Sequence, residues 1–248
     1  MTLSEELFAE FCRRAQIRCE RIPTEAGRTP DYDIFLGDLR VVTEIKEIDP
    51  PARGPTGVVT FTVGNAIRDD LKKGGKQIKA RAKHEASGML VLFEEKREQV
   101  GAFQIARAMY GAHTVDLAVP ADRSRPPSFL GHRLGAGQQT TKQHNTSISA
   151  VAHLDREGRD GITLTVYHNR YARLPIEHER FARYGIRQFE LPEVEGYGIP
   201  DWKEVGAEGV RRAILTAPSG GSGQPSSATP VALASRLRRS RMTDTRGP

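Results

Sequence analysis

Apolar positions first recur at helical spacing at Leu7, Phe8, Phe11 and Cys12. They predict an amphipathic helix over Leu3–Ala15, with Ser4 as N-cap and Glu5 and Glu6 in a first turn that favours acids. A short strand over Ile17–Arg21 follows, then a turn through Pro23 and Gly27. The pattern next becomes that of a hairpin. Thr29–Leu36 and Leu39–Ile48 are rich in β-branched and aromatic residues and are joined by Gly37-Asp38, a turn pair. Asp49–Pro55 reads as an irregular loop because proline ends pairing, and Thr60–Val63 as a brief extended piece. Asn65–Glu85 reads as a helix with a candidate break at Gly74-Gly75, and Ile78 and Ala82 lie on its packing face.

Gly88–Phe93 is a near-continuous apolar run between glycine and charge, the mark of a buried central strand reached through a crossover helix. A helix over Gln99–Tyr110 and a strand over Thr114–Val119 come next. Residues 121–146 carry Arg123, Arg125, His132, Arg133 and Lys142 among Gly, Gln and Pro, and read as a long functional or mobile loop. Ser147–Leu154 and Ile162–Tyr167 form a second hairpin, read as an extension appended to the core. The expected organisation is one α/β domain over residues 1–205, with its core at 4–120 and an extension at 121–205. A Pro/Ser/Gly-rich tail, 206–248, is expected to be mostly disordered and ends in Arg236, Arg238, Arg239 and Arg241.

Charge placement within the first hairpin changes the picture. Asp31 and Asp33 are two apart and share a strand face, as do Val42, Glu44 and Lys46 on the second strand. If the strands pair, Asp31, Glu44 and Lys46 converge at one end. Burying a carboxylate and an ammonium in a run as apolar as VVTEIKEI costs several kcal/mol unless they are paired or bind something. A surface hairpin with a cross-strand Asp–Lys pair is the plain alternative.

Pro30-Asp31, thirteen residues, then Glu44-Ile45-Lys46 resembles the signature of the PD-(D/E)XK, or restriction-endonuclease-like, nuclease superfamily. The resemblance implies a mixed central β-sheet flanked by helices, and the predicted order of helix, three strands, helix, strand matches it. It further implies that Asp31, Glu44 and the Ile45 carbonyl bind Mg²⁺ or Mn²⁺ and that Lys46 is the catalytic lysine. Two carboxylates and a carbonyl suit a hard cation, which polarises a phosphate and acidifies water. Such domains often open with a helix whose glutamate reaches the metal. Glu6 is the better match and Glu10 lies one turn on; a solvated acidic face is the other reading of both. Asp33 substitutes for Asp31 if the strand is shifted. Gln77 resembles the polar residue that the next helix directs at the site. Lys72, Lys76, Lys79 and Lys83 stack on one helix face, either solvated or contacting substrate backbone. The resemblance covers roughly residues 4–93.

Composition adds direction. The net charge of +6 over 248 residues favours an acidic partner, nucleic acid first and a membrane surface second. DNA is expected ahead of RNA. Cys12 and Cys19 read as reduced thiols, no run is apolar for long enough to span a membrane, and the acidic N-terminal segment is unlike a signal peptide. A cytoplasmic protein is expected. The histidines show no zinc spacing, and no phosphate-binding glycine loop or nucleophile elbow occurs. The functional expectation is a Mg²⁺-dependent phosphodiesterase or endonuclease. The alternatives are an inactive nucleic-acid-binding or assembly protein that keeps the fold, and a metal enzyme acting on smaller phosphate compounds. Homodimers are common in the superfamily, and a protein partner for targeting is left open.

Overall fold

The structure is a computed structural model that describes residues 1–23, 29–49, 64–95, 100–157, 161–193, 196 and 198–206. The readings of Pro50–Pro55, of Thr60–Val63 and of the tail beyond 206 lie outside the described residues. By contacts the chain divides into Met1–Thr216 and Ala217–Pro248, the second of which lies wholly outside them.

The elements run α1 (Leu3–Arg14), β1 (Arg18–Arg21), β2 (Tyr32–Leu36), β3 (Leu39–Glu47), α2 (Asn65–Ala82), β4 (Ser87–Phe93), α3 (Ala102–Tyr110), β5 (His113–Ala118), β6 (Ser128–Leu134), β7 (Ala150–Glu157), β8 (Gly161–His168), α4 (His178–Ala182), β9 (Arg187–Glu190) and β10 (Lys203–Val205). The chain is α/β. Among the described residues eight strands form one mixed sheet in the order β1-β2-β3-β4-β7-β8-β9-β10, and β5 and β6 form a separate ribbon. β1, β2 and β3 make an antiparallel meander, β4 joins β3 in parallel through α2, and β7 joins β4 in parallel.

Alternation along the strands divides the interior into two layers. Tyr32, Ile34, Leu36, Val41, Met89, Val91, Ala150 and Ala152 face α1 and the segment around Phe181, closing over Phe8, Phe11 and Cys12. Leu90, Leu92 and Val151 face the opposite way, onto Ile67, Leu71 and Ile78 of α2 and Ile105 and Met109 of α3. β4 is buried along its whole length, as a central parallel strand requires. The odd-numbered residues of β2 and the even-numbered residues of β3 point at α2, the face on which the acidic and lysine positions fall.

Several sequence expectations are corrected. Thr2, not Ser4, caps α1: its hydroxyl accepts from the Glu5 amide, while Ser4 is buried beside it. α2 is continuous through Gly74 and Gly75. Those glycines serve close approach, since a Cβ on Gly74 would sit 2.7 Å from Leu90 Cδ1, and one on Gly75 would sit 2.6 Å from Asn145 Oδ1. The 121–146 stretch contains β6, which pairs with β5 across a register shift at Asp116/Leu117. That irregularity hides the alternation on which strand reading depends. The second hairpin, β7–β8, is not an appendage. β7 hydrogen-bonds directly to β4 and so lies inside the sheet. α4, β9 and β10 were not anticipated; each has five residues or fewer, too short to show a period.

Candidate active site

The β2–β3 register places Tyr32 opposite Thr43, and the Asp31 amide donates to the Thr43 carbonyl at 3.1 Å. Asp31 therefore sits immediately before β2, level with Glu44 of β3. Its Oδ2 accepts from the Ile45 amide at 2.7 Å, fixing the carboxylate across the strand pair. Glu44 is 1% exposed under α2, packed against the helix at Gly74, where a Cβ would lie 3.4 Å from Glu44 Cγ. Lys46 Nζ bonds Glu44 Oε1 and lies 3.4 Å from Gln77 Oε1 of α2. The Gln77 amide in turn donates to the Thr29 carbonyl at 3.2 Å, which orients its oxygen toward the lysine. Asp31, Glu44, Lys46 and Gln77 thus meet in one cluster.

Its electrostatics follow from burial. Desolvation raises the Glu44 carboxyl to about 7, with the Asp31 charge adding to the rise and Lys46 and Gln77 opposing it. Burial also raises Asp31; the Ile45 amide, Lys46 and Arg21 work against it, and Glu5 reinforces it. Glu44 Oε2 is buried and has no hydrogen-bond partner among the described residues. An unsatisfied buried carboxylate oxygen carries a cost of about 1–3 kcal/mol or more, which a bound cation would remove. The donors are hard oxygens of the kind that hold Mg²⁺ or Mn²⁺. Among the described residues no group of three or more His, Cys, Asp or Glu side chains is placed around a metal position. A cation here would therefore rest on Asp31, Glu44 and a backbone carbonyl, leaving sites for water and a phosphate oxygen.

The other proposed residues take different places. Asp33 is 6% exposed and its Oδ2 is shared by Arg81 at 2.8 Å and Arg40 at 3.1 Å, so it neutralises guanidinium groups next to the cluster. Glu6 is exposed. Glu10 forms ion pairs with Arg13 and Arg14, and these hold its carboxyl down at about 2. The α1 carboxylate whose field reaches Asp31 is Glu5, which is paired with Arg21 at 3.1 Å. The lysine row divides, three of the four lying away from the cluster. Lys72, Lys76 and Lys79 line a pocket on the other flank of α2, and Lys83 lines a cleft of 490 Å³ with Thr29, Pro30, Arg40 and Arg81.

Asp70 was missed by sequence reading. It is half-buried on α2, and its raised carboxyl is set first by burial and then opposed by the charge of Lys46. At about 100° per residue, Asp70, Gln77 and Arg81 fall within roughly 40° of one another. That shared arc was the available signal. Comparison of the chain with protein-family models, with curated proteins and with solved structures gives no match.

Proposed function

We propose that the protein is a metal-dependent phosphodiesterase acting on nucleic acid, DNA ahead of RNA, with a restriction-endonuclease-like core. The observation that carries this reading is Glu44: a buried carboxylate with one oxygen on Lys46 and the other without a hydrogen-bond partner among the described residues, level with a second carboxylate at the start of the adjacent strand. The order α1-β1-β2-β3-α2-β4, with β3 and β4 parallel, supports the fold.

Asp31, Glu44 and the Ile45 carbonyl would hold Mg²⁺ or Mn²⁺. Such an ion supplies Lewis-acid polarisation of the scissile phosphate and a water acidified for attack. Lys46 has three N–H donors; one is on Glu44 and one is directed at Gln77, which leaves the third for the attacking water or a phosphate oxygen. Its ammonium offsets the negative charge that develops on the transferring phosphoryl group. Gln77 positions that lysine, and Ile45 positions Asp31 through its amide.

The test is cleavage by the purified full chain with Mg²⁺ or Mn²⁺. Substrates are supercoiled plasmid, linear duplex, single-stranded DNA and RNA, with Asp31→Ala and Lys46→Ala proteins in parallel. Metal-dependent cutting that both variants lose is the expected result. No cutting of any polymer, or equal cutting by the variants, overturns the assignment and moves the binding-protein reading forward.

A further inference from the structure

α2 has two flanks, and the candidate active site uses only one. On the flank opposite Gln77 lies a pocket of 310 Å³. Lys72, Lys76 and Lys79 supply one wall; Arg173, His144 and His84 add further donors. No carboxylate lines it among the described residues, and there neither the three lysines nor Arg173 is held in an ion pair. Like charges gathered without a counter-charge repel one another, so an anion entering the pocket relieves that repulsion.

The walls are built rather than incidental. Gly75 leaves room for Asn145 to lie directly against the helix, where a Cβ would meet its Oδ1 at 2.6 Å. Asn145 donates to the Gln139 carbonyl at 2.8 Å, and the Thr141 hydroxyl accepts from the His144 amide at 3.0 Å. The Arg173 amide donates to the Thr146 carbonyl at 2.8 Å, which ties the base of that arginine to the same loop. Lysines as point charges beside an arginine fork suit the compact oxyanion of a phosphate group.

We infer that this pocket binds a phosphate group, and that in the working protein it is a backbone phosphate of the nucleic-acid strand presented to the cluster on the other flank of α2. The identity of the polymer rests on the phosphodiesterase reading; the phosphate site itself does not. A strand crossing α2, whose diameter with side chains is about 10–12 Å, is thereby held on both sides of the helix.

The test measures binding without turnover. Fluorescence anisotropy of a labelled duplex is read in EDTA for the wild type, for Lys72→Ala/Lys79→Ala/Arg173→Ala, and for a charge-matched control, Arg123→Ala/Arg125→Ala/Lys203→Ala. All six side chains are exposed, so neither variant opens the core. The pocket variant is expected to bind roughly tenfold or more weakly near physiological salt, with a log–log salt slope shallower by about one or more. The control is expected to stay close to wild type. Inorganic phosphate is titrated in a thermal-shift arm. If it stabilises the wild type and not the pocket variant while duplex binding is equal in all three, the site takes free phosphate and the backbone assignment is overturned. Equal behaviour of pocket variant and control toward both ligands, or competition by polyglutamate as strong as by phosphate, overturns the phosphate site. Failure of the phosphodiesterase reading is read separately, as absent cleavage with this binding intact.

Discussion

Glu44 is where burial and chemistry conflict most directly. Its folded carboxyl is raised from 4.5 to about 7, so between those values the unfolded chain loses a proton that the folded chain keeps. The sign follows: its contribution to stability is fully present below about 4.5 and is lost as pH rises to about 7. At about 1.36 kcal/mol per unit the loss is on the order of 3 kcal/mol. Urea denaturation of Glu44→Gln in EDTA is expected to show a protein more stable than wild type above neutral pH and nearly equal to it in mild acid, while cleavage is abolished. A variant that is less stable at every pH would remove the buried-carboxylate account. Asp31 and Asp70 are raised by burial as well, so the difference between the two proteins reports Glu44 together with its coupling to Asp31. Gln77 tests positioning. It opposes the Glu44 rise and faces Lys46, so Gln77→Ala is expected to lower kcat roughly 10- to 100-fold and to move the acid limb of the pH–rate profile upward. A drop in kcat with an unmoved limb would point to loss of packing alone.

At the scale of elements, α2 organises the molecule because glycines let it lie close to the sheet. The approach is tightest at Gly88 of β4, where a Cβ would meet Ile78 Cγ2 and the Ser147 carbonyl oxygen, each at 2.3 Å. One of those neighbours is backbone and cannot rotate away. Gly88→Ala is therefore expected to destabilise by about 1–3 kcal/mol and lower Tm, although alanine suits a strand no worse than glycine does. A Tm equal to wild type would show that helix and strand separate more freely than this packing implies. The same helix keeps Asp70, Gln77 and Arg81 over the acidic strands, and Lys72 and Lys79 over the loop around Asn145. One amphipathic segment thus separates the proposed cleavage chemistry from the proposed phosphate grip.

Over the whole molecule, the sheet does not end at β4. β7 pairs with β4 in register from Met89–Ala150 to Phe93–Leu154, and β8, β9 and β10 continue beyond it. A chain cut at 120 would expose the full edge of an apolar strand, a template for association. Fragment 1–120 is expected to aggregate or to unfold without a cooperative transition, as followed by circular dichroism during heating. A cooperative, monomeric fragment would mean that the first four strands form a self-sufficient core. No helix among the described residues is long and apolar enough to cross a membrane.

Local chemistry made much of this readable in the chain. The Gly37-Asp38 turn, the β-branched runs beside it and the apolar stretch at Gly88–Phe93 carry their own conformational preference, and residue alternation put Asp31, Glu44 and Lys46 on the same faces that the structure gives them. Long-range pairing was not readable there. Nothing in the sequence of β7 says that its partner is β4, because a strand edge is completed by backbone hydrogen bonds that any side chains permit. The same holds for the field of Glu5 at Asp31, for that of Lys46 at Asp70 and for Arg173 in one pocket with Lys79: each depends on the direction in which a neighbouring element crosses. Periodicity along the chain decided which face a residue occupies; only packing decided what stands opposite that face.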